Sequence, residues 1–311
     1  MQQDNIISWV LGGIGAVTLT LSSWGLAQGL EPFASWFYAF AWWSYILIID
    51  CLIYRIKGRS LLVNRFGEFL ALLPASVTCW LIFEAVNLVL GNWHYQGLPP
   101  SWWQRWPGYL ISYATVFPGL FQTAEALGAL GLFRGVRGRP RSLGSGWYTP
   151  FFLLGIFCLV WPLIMPRYGF PLIWLAFIFL LEPFCHLGGG KSLVAAWVRG
   201  ERREIMLLLS AGLVCGILWE LWNYWSVSKW VYTIPFFNWG RVFEMPLLGY
   251  LGFPPFAVEC AVMYNFIQVL RAKVLLTLKA RRLWRLGQAG FWVIMLWALD
   301  TWTVISYRGP C

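Results

Sequence analysis

Residues 219–223 read Trp219-Glu220-Leu221-Trp222-Asn223 within an apolar run from 204 to 225, and Trp230-Val231-Tyr232, Phe253-Pro254-Pro255 and Glu259 follow. A helix of about 20 apolar residues spans a hydrocarbon core of about 30 Å. Glu220 and Asn223 therefore fall at membrane depth. An ionisable group there is costly to hold and marks a candidate functional site.

The rest of the chain supports the same fold class. Of 311 residues, 59% are hydrophobic and only 12% charged, too little polar surface to cover a soluble globule of this size. The apolar runs are too long for alternating barrel strands. The expectation is an all-α, polytopic integral membrane protein with about nine transmembrane helices, at 6–29, 33–54, 66–90, 108–133, 149–166, 171–187, 204–225, 246–270 and 288–306.

The net charge of +10 follows the positive-inside rule once the N-terminus is placed in the cytoplasm. Of the 23 basic residues, 18 then fall in cytoplasmic segments, in four groups from Arg55 to Arg65, Arg134 to Arg141, Lys191 to Arg203 and Arg271 to Arg285. Arg105, Arg167, Lys229, Arg241 and Arg308 remain outside, and the C-terminus with them. A topological origin of the charge removes the reason to expect nucleic acid. A bacterial inner (plasma) membrane is the expected location.

The first span lacks a basic leader and is expected to remain uncleaved. Seven cysteines form no CxxC pair, and the only histidines, His94 and His186, lie far apart, so neither a disulfide scaffold nor a metal site is expected. Gly188-Gly189-Gly190-Lys191-Ser192 lacks the first glycine of a phosphate loop and follows no strand. No dinucleotide fingerprint occurs, and no cofactor is expected.

The chain repeats internally. At an offset of 136, Glu68, Leu72, Leu73, Ala75, Cys79, Glu84 and Asn87 fall on Glu204, Leu208, Leu209, Ala211, Cys215, Glu220 and Asn223. Trp93-His94-Tyr95 answers Trp230-Val231-Tyr232, and Phe117-Pro118 answers Phe253-Pro254. Upstream, at 132, Trp42, Asp50 and Gly58-Arg59-Ser60-Leu61 answer Trp174, Glu182 and Gly190-Lys191-Ser192-Leu193. Two parallel four-helix repeats, 1–141 and 142–270, are expected, followed by a basic interfacial segment and final helix at 271–311. Val274, Leu275, Leu276 and Leu278 among the basic residues suit an interfacial helix on anionic lipid headgroups, or an extension of the eighth span.

Within each repeat the Glu and Asn, three apart, share one helix face. Sixteen residues beyond Glu68 put Glu84 about 24 Å across the bilayer. Glu220 reaches the same depth, so the two carboxyls are placed to face each other across the pseudo-axis, beneath Trp93, Tyr95, Trp230 and Tyr232. Desolvation among Trp219, Trp222 and Trp225 disfavours the anion. A protonated acid beside aromatic faces suits proton delivery to an alkene, with cation–π stabilisation of the carbocation. The plainer reading has each Glu bond its Asn and knit helices together. Glu259 is a candidate second acid, Glu125 a weaker one, and Asp50 and Glu182 are expected in salt bridges near the basic loops.

These residues resemble the lycopene cyclase domain of the non-flavin, heterodimer-type carotenoid cyclases. That domain carries a Trp-Asp pair in one span, a Trp-x-Tyr after it and a Pro-x-Glu-Glu opening the next. Trp219-Glu220 looks like the first, with Phe83-Glu84 as a second copy, and Trp230-x-Tyr232 and Trp93-x-Tyr95 look like the second. The third departs: Glu244-Met245-Pro246 and Phe253 to Glu259 contain no adjacent Glu pair.

The resemblance implies redox-neutral cyclisation or hydration of a carotenoid-like or other isoprenoid lipid, a lycopene-cyclase-like isomerase activity. Glu220, Glu84 and Glu259 would be its acids, with Asn223, Asn87, Trp219, Trp222, Trp230, Tyr232, Trp93 and Tyr95 around the substrate. The alternatives are a transporter or lipid-binding protein using the paired carboxylates, and a structural scaffold.

Overall fold

The computed structural model describes residues 2–142, 144–236 and 239–304. Arg308, Cys311 and the end of the ninth expected span lie outside the described residues. Among the described residues, seven helices are long and apolar enough to cross a membrane. They contain α1 (Gln2–Ala27), α2 (Phe33–Lys57), α3 (Phe66–Leu90), α6 (Tyr148–Ile164), α8 (Ile173–Leu187), α10 (Arg203–Trp225) and α11 (Phe253–Lys273). The chain is an all-helical integral membrane protein. Its outward faces carry the large apolar side chains that suit lipid contact, such as Trp9, Val17 and Leu21 on α1 and Leu153, Phe157 and Ile164 on α6.

The fourth expected span is instead two short helices, α4 (Trp102–Tyr113) and α5 (Val116–Ala129). Pro118 has no N–H to give the carbonyl of Ala114, which removes one helical hydrogen bond at the junction. Ser76 of α3 stitches the break: its hydroxyl donates to the Tyr113 carbonyl at 2.5 Å and accepts the Phe117 N–H at 3.0 Å. Short helices α7 (Pro166–Gly169) and α9 (Leu193–Val198) flank α8.

The last helix, α12 (Leu278–Trp302), has 25 residues but opens with Lys279, Arg281, Arg282 and Arg285. No separate interfacial helix forms. Arg271 and Lys273 end α11, and after a short link the remaining basic residues belong to α12, whose apolar half packs on α3.

Around the bundle α1 packs on α2, α2 on α5, and α5 on both α3 and α10; α10 packs on α11, α11 on α8, and α8 on α6. Small residues allow the close crossings. Ser8, Gly15, Ser22 and Gly25 form the buried stripe of α1 against α2. On α10, a Cβ at Gly212 would lie 2.3 Å from the Phe253 carbonyl oxygen. One at Gly216 would lie 2.2 Å from the Phe253 ring.

Asp50 and Glu182 do not form salt bridges; each is buried and caps the loop after its own helix. Asp50 accepts from the Ser60 hydroxyl, the Leu62 N–H and the Gln122 amide at 2.6, 3.1 and 2.8 Å. Glu182 accepts from the Ser192 hydroxyl and the Leu193 and Val194 N–H groups at 2.5, 2.9 and 3.3 Å. A buried carboxyl is tolerable when its lone pairs are filled this way. Glu125, the weaker candidate acid, instead bridges two cations, Lys57 and Arg65, both at 2.5 Å.

At the other helix ends two segments expected as loops form a ribbon. Strand β1 (Trp93–Gln96) pairs antiparallel with β2 (Lys229–Tyr232), in the register Trp93↔Tyr232, His94↔Val231, Tyr95↔Trp230 and Gln96↔Lys229. Gly91, left-handed at φ 60°, ends α3 and turns the chain into β1. The end of α12 joins the ribbon through the Tyr95 N–H, which donates to the Thr303 carbonyl at 2.9 Å. A hairpin of β3 (Arg241–Val242) and β4 (Met245–Pro246) leads back to α11.

The α10–α11 contact gives a direct test. Gly212→Val should destabilise by about 1–3 kcal/mol, the range for overpacking a tight contact, read as a lower melting temperature in detergent. Gly67→Ala, with open space at its Cβ, should leave that temperature nearly unchanged.

Candidate functional site

The ribbon closes over an apolar cavity of about 170 Å³. Its walls come from several elements: Tyr38 of α2, Trp80 of α3, Tyr109 and Tyr113 of α4, Trp174 of α8, Trp219 of α10 and Phe253 and Phe256 of α11. The strands contribute Trp93, Tyr95, Lys229, Trp230 and Tyr232. The rings lock one another. Tyr38 meets Trp230 edge-on at 5.1 Å, and Phe256 lies 5.9 Å from Trp80, 5.7 Å from Trp174 and 5.7 Å from Trp219.

The two expected carboxyls sit one layer behind this wall, fully buried. Neither lines the cavity; each is joined to it by the tyrosine of its own Trp-x-Tyr strand. Tyr95 donates to Glu84 Oε1 at 2.5 Å and Tyr232 to Glu220 Oε1 at 2.8 Å. Buried beside carboxyls, both phenols are held well above the usual tyrosine range, chiefly by desolvation and then by the neighbouring Glu.

The carboxyls differ in company. Glu84 also accepts from Trp80 Nε1 at 2.9 Å and from Trp93 Nε1 at 3.2 Å to each oxygen, and the Tyr113 hydroxyl stands 3.5 Å from it. Tyr113 in turn donates to the Tyr95 hydroxyl at 2.9 Å. Glu220 has the Tyr232 bond and the approach of the Trp230 indole, but its Oε2 has no hydrogen-bond partner.

Asn87 and Asn223 do not bond the carboxyls. Each instead grips the strand backbone at its Trp. The Asn87 amide donates to the Trp93 carbonyl at 2.8 Å while its oxygen accepts from the Asn92 and Trp93 N–H groups at 2.9 and 3.3 Å. Asn223 donates to the Trp230 carbonyl at 2.8 Å and accepts from the Trp230 N–H at 2.9 Å. A side-chain amide offers the same donor and acceptor as a peptide, so each Asn acts as one more rung of the ribbon.

Of the expected site residues, Trp93, Tyr95, Trp219, Trp230 and Tyr232 line the cavity. Trp222 lies outside it and packs on Trp42, with ring centres 4.9 Å apart. Glu259 stands apart from both Glu–Tyr pairs: its Oε1 accepts from the Phe177 N–H of α8 at 2.7 Å and its Oε2 has no hydrogen-bond partner.

Sequence reasoning missed Tyr38, Trp80, Tyr113, Phe256 and the two ion pairs beside the cavity. Trp80 carried a signal, since it lies four residues before Glu84 on the same helix face. Arg105 binds Asp300 through two bonds of 2.9 and 2.7 Å, and Lys229 binds Glu244 at 2.7 Å. Those pairings join residues 195 and 15 apart, and no local pattern announces them.

Asn223→Ala should leave the Trp230 N–H and carbonyl without partners, at a cost of about 1–3 kcal/mol per group where water cannot reach. Hydrogen exchange at the Trp230 amide should accelerate while the middle of α10 keeps its protection. In alkaline titration followed by tyrosinate absorbance, Tyr95→Phe and Tyr232→Phe should remove no phenol that ionises in the ordinary range, as both are held above it.

Comparison with protein-family models, with curated proteins and with solved structures finds no match for this chain.

Proposed function

We propose that this protein is a membrane enzyme that modifies the end group of a carotenoid-like or other isoprenoid lipid by acid-initiated, redox-neutral alkene chemistry. The observation that carries the reading is the pair of Glu–Tyr contacts, Glu84–Tyr95 and Glu220–Tyr232, opening into an aromatic cavity. The cavity takes an apolar ligand by composition. A dry apolar cavity of about 150 Å³ holds benzene, so the volume suits a ring-sized end group, not a whole polyene.

Proton addition to one alkene carbon leaves a carbocation on its neighbour. Attack by a second double bond closes a ring, and loss of a proton restores neutrality; capture by water gives hydration instead. Indole and phenol faces stabilise the cation by about 0.5–2 kcal/mol each where desolvated. Each tyrosine hydroxyl is placed to pass a proton between its carboxyl and the cavity.

A duplicated architecture of two parallel four-helix halves underlies this site. The helix contacts recur in the same pattern: α1–α2, α2–α5 and α3–α5 in the first half, α6–α8, α8–α11 and α10–α11 in the second. The ribbon register supports it as well. Trp93 pairs with Tyr232 and Tyr95 with Trp230, the reciprocal pairing that a two-fold axis through His94 and Val231 requires.

Counting α4 with α5 as one crossing and α12 as another makes nine spans, and the basic-residue distribution supports an N-terminus in the cytoplasm and the ribbon outside, in a bacterial inner membrane. Lys279, Arg282 and Arg285, beside exposed Leu278, Leu283 and Leu286, then meet anionic lipid headgroups.

Expression in cells that accumulate linear polyenes should yield a product of the same mass (cyclised) or one water heavier (hydrated). Glu84→Gln combined with Glu220→Gln should abolish it while the protein still elutes as a single species. No new product and no bound polyene by mass spectrometry would refute the reading. Proton flux in vesicles lost in the same variant would replace it with a transporter.

A further inference from the structure

The two Glu–Tyr pairs have symmetric backbones and asymmetric surroundings. At the offset of 136 that superposes Glu84 on Glu220, Trp80 falls on Gly216 and Tyr113 on Gly249. Trp80, which donates to Glu84, and Tyr113, which donates to the Tyr95 that holds Glu84, are therefore both glycine in the second half. Other side chains have taken the space: the Phe253 ring stands where a Gly216 side chain would begin, and Met245 Sδ where one at Gly249 would.

The difference bears on which form each carboxyl holds. An ionised carboxyl only accepts, whereas a protonated one must donate as well. Everything that touches the Glu84 oxygens can donate, and the two indoles can do nothing else. That surround is built for a carboxylate. Glu220, with one hydroxyl on Oε1, the single Trp230 indole nearby and a buried Oε2 without a hydrogen-bond partner, has fewer donors and is the more poorly compensated as an anion.

Tyr232 of β2, Tyr38 of α2, Tyr250 beside α11 and Glu244 of the β3–β4 hairpin face Glu220, and none brings a positive charge. Tyr95 of β1 and Tyr109 and Tyr113 of α4 face Glu84.

Resting on the reading of the cavity as an acid–base site, we infer that the duplicated carboxyls divide the labour: Glu220 is the proton-carrying acid and Glu84 the fixed carboxylate. With Glu220 protonated the 2.8 Å contact runs the other way, the acid donating to the Tyr232 oxygen and the Tyr232 hydroxyl turned to the cavity, so that Glu220 gives its proton to Tyr232 as Tyr232 gives its own to an alkene carbon. Glu220 is then a carboxylate, Tyr232 is neutral again, and the substrate is a carbocation. After ring closure the cation returns one proton by the reverse path, so a cyclisation ends with both residues as they began. Glu84 exchanges no proton and supplies the negative charge that the cation sees, through the Tyr95 hydroxyl.

Infrared spectroscopy of the purified protein without substrate tests this independently of any reaction. The carbonyl stretch of a protonated carboxylic acid should contain a component that Glu220→Gln removes and Glu84→Gln leaves. Tyr232→Phe, which keeps the fold's packing, should shift that component, and Tyr95→Phe should not. Combining Trp80→Phe with Tyr113→Phe should create a second component, as Glu84 loses donors.

A component lost in Glu84→Gln and retained in Glu220→Gln would overturn the assignment, as would one that ignores Tyr232→Phe. If Glu220→Gln fails to fold, the Tyr232→Phe shift decides alone. A wild-type protein that shows the Glu220 component but makes no polyene product would refute the enzyme reading and leave the assignment standing.

Discussion

The grip of Asn87 and Asn223 on the strand backbones is the interaction on which the site depends. Each Asn lies three residues after its Glu on one helix face, and each reaches across a short turn to hold a Trp by both its N–H and its carbonyl. The strand is thereby fixed in position along the helix. With Trp93 and Trp230 pinned, the tyrosines two residues on can reach only the carboxyls of the same helices. The pairing of the two strands then couples the halves, so both tyrosines face one cavity instead of two.

Much of the fold was legible. The bounds of α3 match the apolar run 66–90, since an unbroken run flanked by Arg65 and Gly91 leaves little latitude. The break between α4 and α5 was not legible, because Pro118 announces a lost hydrogen bond but not where the freed groups find partners. Ser76, 37 residues from Tyr113, supplies that answer. Asp50 and Glu182 were misread for a related reason. Nearby arginines suggested ion pairs, whereas backbone N–H groups and serine hydroxyls of the following loops fill their oxygens.

For the site, spacing pointed to the two carboxyls and the strand aromatics that the structure joins through Glu84–Tyr95 and Glu220–Tyr232. It misassigned the amides, because a Glu and an Asn on one face look like partners until the strand competes for the Asn. It could not give Tyr38, Phe256 or the Arg105–Asp300 pair, which come from elements that meet only in the folded bundle. Glu259 shows the converse limit. Buried acid in a span is the right description of it, yet its contact is with the backbone of α8, away from the cavity.

On the proposed reading the cavity holds a carbocation, and the charges near it fit that task. A carbocation forming at membrane depth is destabilised by any uncompensated positive charge nearby, since interactions there are weakly screened. Two basic side chains, Arg105 and Lys229, nevertheless reach the cavity wall. Each is held by a carboxylate, Arg105 through a paired contact with Asp300 and Lys229 with Glu244. Their fields are therefore largely cancelled at the cavity, and with Glu84 assigned as the carboxylate the unbalanced charge is the one behind Tyr95. These pairs also fasten the end of α12 to α4 and β2 to the hairpin before α11. The residues that close the cavity are thus the ones that leave its electrostatics favourable to a cation.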